Sequence, residues 1–130
     1  MKIIFILLAF TLYLNADVIN ESIVTWDFSN SEYTLIDVRM PSEYEQTGVV
    51  ENAVLITVIN PNSSINANFI NEVEKFLDKN DKIAIMCKSG NRSLMAAKIL
   101  EKAGFKHLVN LTGGMDLLQR TNIKLVPYKK

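Results

Sequence analysis

The sequence predicts an α/β fold, a central mostly parallel sheet with helices on both faces. Short apolar runs rich in β-branched residues recur along the chain, and helical patterns lie between them. Runs of that kind read as buried strands, and strict alternation with helices argues for parallel pairing under two helical layers.

Taken in order, the chain opens with Met1 and Lys2, followed by "IIFILLAFTLYL" and then Asn15 and Ala16. A cationic start, a short apolar stretch and a small residue are the pattern of an export signal. A spanning helix needs about 20 apolar residues, and this run is shorter. The expectation is therefore cleavage after Ala16, with residues 1–16 as a signal peptide and 17–130 as the folded domain. A periplasmic location and no stable membrane insertion after cleavage follow from that reading.

"TLIDV" (34–38) is the first expected strand. A short helix is expected from Ser42, where Ser42 and Glu45 have capping-box spacing. "AVLITVI" (53–59) reads as the second strand, and "NPNSSINA" as a loop. In "NANFINEVEKFLDKN", Phe69, Ile70, Val73, Phe76 and Leu77 fall on one helical face. "KIAIM" (82–86) is a strand. "RSLMAAKILEKAG" is a helix with Ala96, Ile99, Leu100 and Ala103 as its stripe and Gly104 as its C-terminal cap. "HLVNL" (107–111) closes the set, and Tyr128, Lys129 and Lys130 read as a solvated tail.

The chain has 130 residues, 48% hydrophobic and 22% charged, with acids and bases in balance. Such a composition suits one domain with a modest core. Zero net charge supplies no global field for nucleic acid or an anionic membrane, so no nucleic-acid partner is expected.

"CKSGNRS" (87–93) holds the one cysteine of the sequence, so no intramolecular disulfide is possible. A lone cysteine in an exported protein is either a bland buried residue or a reactive thiol. Cys87 follows a strand and precedes a helix, at the carboxyl edge where open α/β sheets bind ligands. Backbone N–H groups in such a turn can form an anion-binding nest, and Gly90 gives it conformational freedom. Lys88 and Arg92 add full charges. Donors and charges of that kind favour the thiolate, which is the nucleophile. The reactive reading is thus preferred over the bland buried one.

"CKSGNRS", "LIDVRMPSEYEQTG" and "LVNLTGGMDLL" together resemble three signatures of the single-domain rhodanese-like sulfurtransferases. "CKSGNRS" resembles their active-site loop, "LIDVRMPSEYEQTG" their strand-to-helix signature, and "LVNLTGGMDLL" their last strand and double-glycine turn. The likeness runs from Ile19 to Arg120 with the motifs in family order. It implies that Cys87 takes a sulfane sulfur from thiosulfate or a persulfide donor and passes it, as a cysteine persulfide, to a thiol acceptor. By the same likeness the amides of Lys88, Ser89, Gly90, Asn91, Arg92 and Ser93 cradle the sulfur, Arg92 braces the loop, and Lys88 faces the anionic donor. No cofactor or metal is called for. The chain departs from the pattern at "GVVENA" (48–53), in a segment "EYEQTG" one residue longer, and at Leu118 in place of a tryptophan. Those differences bear on the rim and the substrate.

Asp37 and Arg39 are read as a structural charged pair or loop anchors rather than an acid and base. His107 begins its strand while Cys87 ends a parallel one. Five residues put roughly 15 Å between those edges, too far for proton relay. Trp26 and the methionines read as packing. Two other functions share such a loop. One is a persulfide carrier or sulfur-binding module without turnover. The other is a phosphatase or arsenate reductase, whose loop carries five residues between cysteine and arginine where "KSGN" supplies four.

Overall fold

The computed structural model describes residues 17–130; the expected signal segment lies outside the described residues. In chain order the elements are β1 (Ile19–Ser22), β2 (Tyr33–Asp37), α1 (Pro41–Thr47), β3 (Val49–Val50), β4 (Val54–Leu55), α2 (Phe69–Glu74), β5 (Lys82–Met86), α3 (Asn91–Lys102), β6 (His107–Thr112), α4 (Gly114–Leu118) and β7 (Leu125–Val126). Five of the strands make one sheet in the order β1-β6-β5-β2-β4, parallel throughout. β3 and β7 pair antiparallel beside it.

β5 lies in the middle, and Ile83, Ala84, Ile85 and Met86 are all fully buried. A central parallel strand has no solvated face, which is why its sequence is continuously apolar rather than alternating. Its side chains still divide by parity. Ile83 and Ile85 pack with Phe69 and Val73 of α2 and with Ala96, Ala97 and Leu100 of α3. Ala84 and Met86 pack on the other face with Met115 and Leu118 of α4 and with Val50. Helices therefore cover both faces, as expected.

Several local expectations are corrected. "AVLITVI" is a two-residue strand, because β2 ends at Asp37 and turns toward Pro41, removing the partner for a longer ladder. Ile56 and Val58 still donate their N–H groups to the Asp37 and Val38 carbonyls, so the backbone stays satisfied. α1 starts at Pro41 rather than Ser42, and Glu43, not Glu45, accepts the Met40 N–H at 3.2 Å. Proline suits that first position because its missing N–H has no intrahelical partner to lose.

α2 is shorter than its apolar pattern. Phe69, Val73 and Leu77 are buried at four-residue spacing, whereas Phe76 is 65% exposed. After Glu74 the turn tightens to an i−3 bond from Phe76 to Val73, which rotates Phe76 away from the core. The buried face of α3 is Ser93, Ala96, Ala97 and Leu100; Ile99 and Ala103 sit at its margin. β1, β3 and β7 have no counterpart among the expected strands, being too short for a periodic signal.

Candidate functional site

The chain leaves β5 at Met86 and enters α3 at Asn91, so Cys87–Gly90 crosses the carboxyl edge of the sheet. Gly90 caps α3 with φ of +114°, a conformation that side chains disfavour. That turn brings its N–H back over the thiol, 3.0 Å from Cys87 Sγ. Ser93, one turn into α3, sets its Oγ 3.3 Å from the same sulfur.

The double-glycine turn supports the loop from behind. The Met115 N–H donates to the Cys87 carbonyl at 2.8 Å, and the Asp116 N–H donates to the Lys88 carbonyl at 3.0 Å. The first turn of α4 thus holds these carbonyls away from the sulfur and uses its own orphan donors to do so. A Cβ on Gly114 would lie 2.5 Å from the Lys88 carbonyl oxygen, so the approach requires glycine.

Arg92 points away from the loop. Its Nη1 and Nη2 donate to Glu43 Oε1 and Oε2 at 2.6 and 2.7 Å, a bidentate pair between α3 and α1. These hydrogen bonds hold the Glu43 carboxyl below its ordinary value and Arg92 above its own; the negative form of Cys87 adds to the latter.

Cys87 is 1% exposed, so the thiol read as the nucleophile is buried. Burial and a polar cradle coexist here. Gly90 and Ser93 are buried with it, while Lys88, Ser89 and Asn91 are exposed. Of the six amides expected to cradle the sulfur, the one hydrogen-bonded to Sγ is that of Gly90. Arg92 braces α3 against α1 and makes no hydrogen bond to the loop backbone. Lys88 forms no ion pair among the described residues. It borders a cleft of about 370 Å³ shared with Glu43, Gln46, Asp116 and Gln119. A cleft of about 460 Å³ beside Trp26, Tyr33 and Glu51 touches none of the loop residues.

Two site residues escape sequence reading. Glu43 had one signal, an acid in the first turn after "LIDVRMP". Asn110 had another: it is a polar residue inside an apolar strand, and it is 2% exposed.

The bland readings hold for Asp37 and Arg39. Both side chains are buried, and Arg39 Nη2 lies 2.8 Å from Asp37 Oδ2. Arg39 also reaches Thr47 Oγ1 at 2.9 Å and the Gly48 carbonyl at 3.2 Å, fastening α1 to the end of β2. Burial pushes the Asp37 carboxyl up, with Arg39 opposing. His107 pairs with Lys82 at the start of β5, on the edge opposite Cys87.

Residues 25–121 match the model of the rhodanese-like domain. The putative sulfur carrier protein YrkF of Bacillus subtilis is 37% identical over 67% of this chain and 42% of its own length. Thiosulfate sulfurtransferase 16, chloroplastic, of Arabidopsis thaliana is 31% identical over 70% of this chain and 78% of its own. A crystal structure of a rhodanese-related protein from Thermoplasma volcanium superposes with a TM-score of 0.58 at 28% identity, covering 75% of this chain and 86% of that one. The chain spans about half the length of several curated relatives that it matches. With the five-stranded parallel sheet, the cysteine loop at its carboxyl edge and these matches, the chain belongs to the rhodanese-like domain family.

Proposed function

We propose that this protein transfers sulfane sulfur through a persulfide on Cys87. The observation that carries the reading is the sulfur held by the Gly90 N–H at 3.0 Å, on a loop whose Cys87 and Lys88 carbonyls are held by α4. A buried N–H aimed at sulfur stabilises negative charge there without reorganisation. The Cys87 thiolate attacks the outer sulfur of thiosulfate. An Sγ–S bond forms, the S–S bond of the donor breaks, and sulfite leaves with the electron pair. An acceptor thiolate then attacks the outer sulfur of the persulfide, and Cys87 departs as thiolate. Lys88, exposed beside its cleft, attracts the anionic donor.

The phosphatase reading is disfavoured by Arg92, because Glu43 occupies both of its terminal nitrogens. A carrier without turnover shares the same loop, and the likeness to a putative sulfur carrier supports it. Steady-state turnover with excess donor and acceptor separates the two.

The test is intact mass after thiosulfate treatment. A gain of one sulfur, reversed by cyanide and absent from Cys87→Ser, is expected; a serine variant that still turns over thiosulfate would sink the assignment. Residues 1–16 are proposed as a cleaved export signal delivering the domain to the periplasm. N-terminal sequencing of the fractionated protein should begin at Asp17, and a full-length membrane-bound chain would refute it. Among the described residues no helix is long and apolar enough to cross a membrane.

A further inference from the structure

Behind Cys87 lies a chain of neutral polar groups. The Ser93 hydroxyl is 3.3 Å from Sγ, 2.6 Å from Asn110 Oδ1 and 3.1 Å from the Gly90 carbonyl. Asn110 Nδ2 donates to Asn20 Oδ1 of β1 at 3.0 Å and faces the Gly90 carbonyl at 3.4 Å. Ser93 and Asn110 are 0% and 2% exposed, so solvent does not substitute for the contacts between them; Asn20, at the outer end of the chain, is exposed. The Gly90 carbonyl fixes the Asn110 amide: flipping it would set two acceptors against each other.

A serine hydroxyl has one proton, and three acceptors surround it. At 2.6 Å the Asn110 contact is at the short end for O–H···O bonds, so the proton goes to Asn110 and a lone pair faces Cys87. That arrangement accepts from an S–H group and suits a thiol. A thiolate needs the opposite, a donor, and the hydroxyl supplies one only by turning away from Asn110.

We propose that Asn110 is a positioning residue that restrains ionisation of Cys87 by holding the Ser93 hydroxyl proton. The inference rests on the reading of Cys87 as the nucleophile. When sulfur carries charge, as thiolate or persulfide, the hydroxyl rotates about its Cβ–Oγ bond to donate to it. The charged groups near the loop are Arg92 on α3, Glu43 on α1, Lys88 in the loop, Asp116 on α4, and Asp37 with Arg39 after β2. None belongs to the Ser93–Asn110–Asn20 chain, and His107 stands at the far end of β6.

The experiment is the pH dependence of iodoacetamide alkylation of the folded full chain, followed by intact mass. Asn110→Leu should move the profile to lower pH by about half to one unit, roughly three- to tenfold faster on its acid limb. Asn110→Val should do the same and suits a strand if the leucine variant does not fold. Asn110→Asp should move the profile to higher pH. In a Ser93→Ala background, adding Asn110→Leu should shift nothing, because the hydroxyl that transmits the effect is gone. An unchanged or upward shift in the apolar variants, or a shift that survives Ser93→Ala, would overturn the proposal. Absence of sulfur loading by thiosulfate, with the alkylation shifts intact, would instead refute the transfer reading and leave this one standing.

Discussion

Two arginine–carboxylate pairs lie close to the carboxyl edge of the sheet, and they differ in almost every physical respect. Arg39 and Asp37 are two residues apart in sequence, and their side chains are 1% and 0% exposed. Arg92 and Glu43 are 49 residues apart, and theirs are 23% and 15% exposed. The first pair locks one strand to the helix that follows it. The second ties the helix carrying the cysteine loop to a separate helix. Burial makes the first a matter of stability, because an uncompensated buried charge is costly. Partial exposure makes the second weaker energetically, and its place is between α1 and the helix that follows the cysteine loop.

Removing one partner tests this contrast most severely at Arg39. Arg39→Met should leave the Asp37 carboxylate buried alone and cost about 3–5 kcal/mol in denaturant unfolding. A loss comparable to that of a surface pair would erase the distinction. At Arg92 the balance reverses. Arg92→Met should destabilise by about 1 kcal/mol or less. Turnover of thiosulfate should nevertheless fall by roughly a hundredfold, as expected when a reacting group is misplaced by about an ångström. Equal effects on stability and turnover would show a merely structural brace.

Glu43→Gln sharpens the comparison through pH. Glu43 titrates below its ordinary value of 4.5 in the folded protein. Its stabilisation is therefore fully present above that value and disappears as pH falls through the lower folded one. The stability difference between wild type and Glu43→Gln should be constant near neutrality and vanish in acid. A difference that persists there would mean that charge is not its source. Lys88, an exposed cation with no ion pair among the described residues, should show the smallest effect. A screened contact of this kind is worth about 1 kcal/mol, so Lys88→Ala should lower kcat/KM for thiosulfate roughly tenfold or less. The wild-type advantage should shrink as salt rises. A salt-independent loss of several orders of magnitude would place Lys88 in the chemical step.

The two pairs also show how far sequence reading reaches. Asp37 and Arg39 are neighbours in the chain, so their pairing is legible from "LIDVRM" alone. Nothing local connects Arg92 to Glu43. The missed strands β1, β3 and β7 are of the same kind, since two to four residues carry no period and become strands only through a partner. Phe76 fails for a related reason. Its place in the apolar pattern assumes a helix that continues, whereas α2 ends at Glu74 in a tightened turn.

From residue order alone came the α/β class, the position of Cys87 between a strand and a helix, and the distance of His107 from it. Each depends on periodicity or on chain order, which are local properties. The tertiary structure alone decided that the thiol is buried, that Glu43 takes both arms of Arg92, and that Asn110 stands behind Ser93. It also supplied the reason for Gly114, where a side chain would strike the Lys88 carbonyl. These contacts join segments up to 90 residues apart, as between Asn20 and Asn110. A sequence records such neighbours only as isolated polar or small residues, and close packing of the elements gives each one its partner.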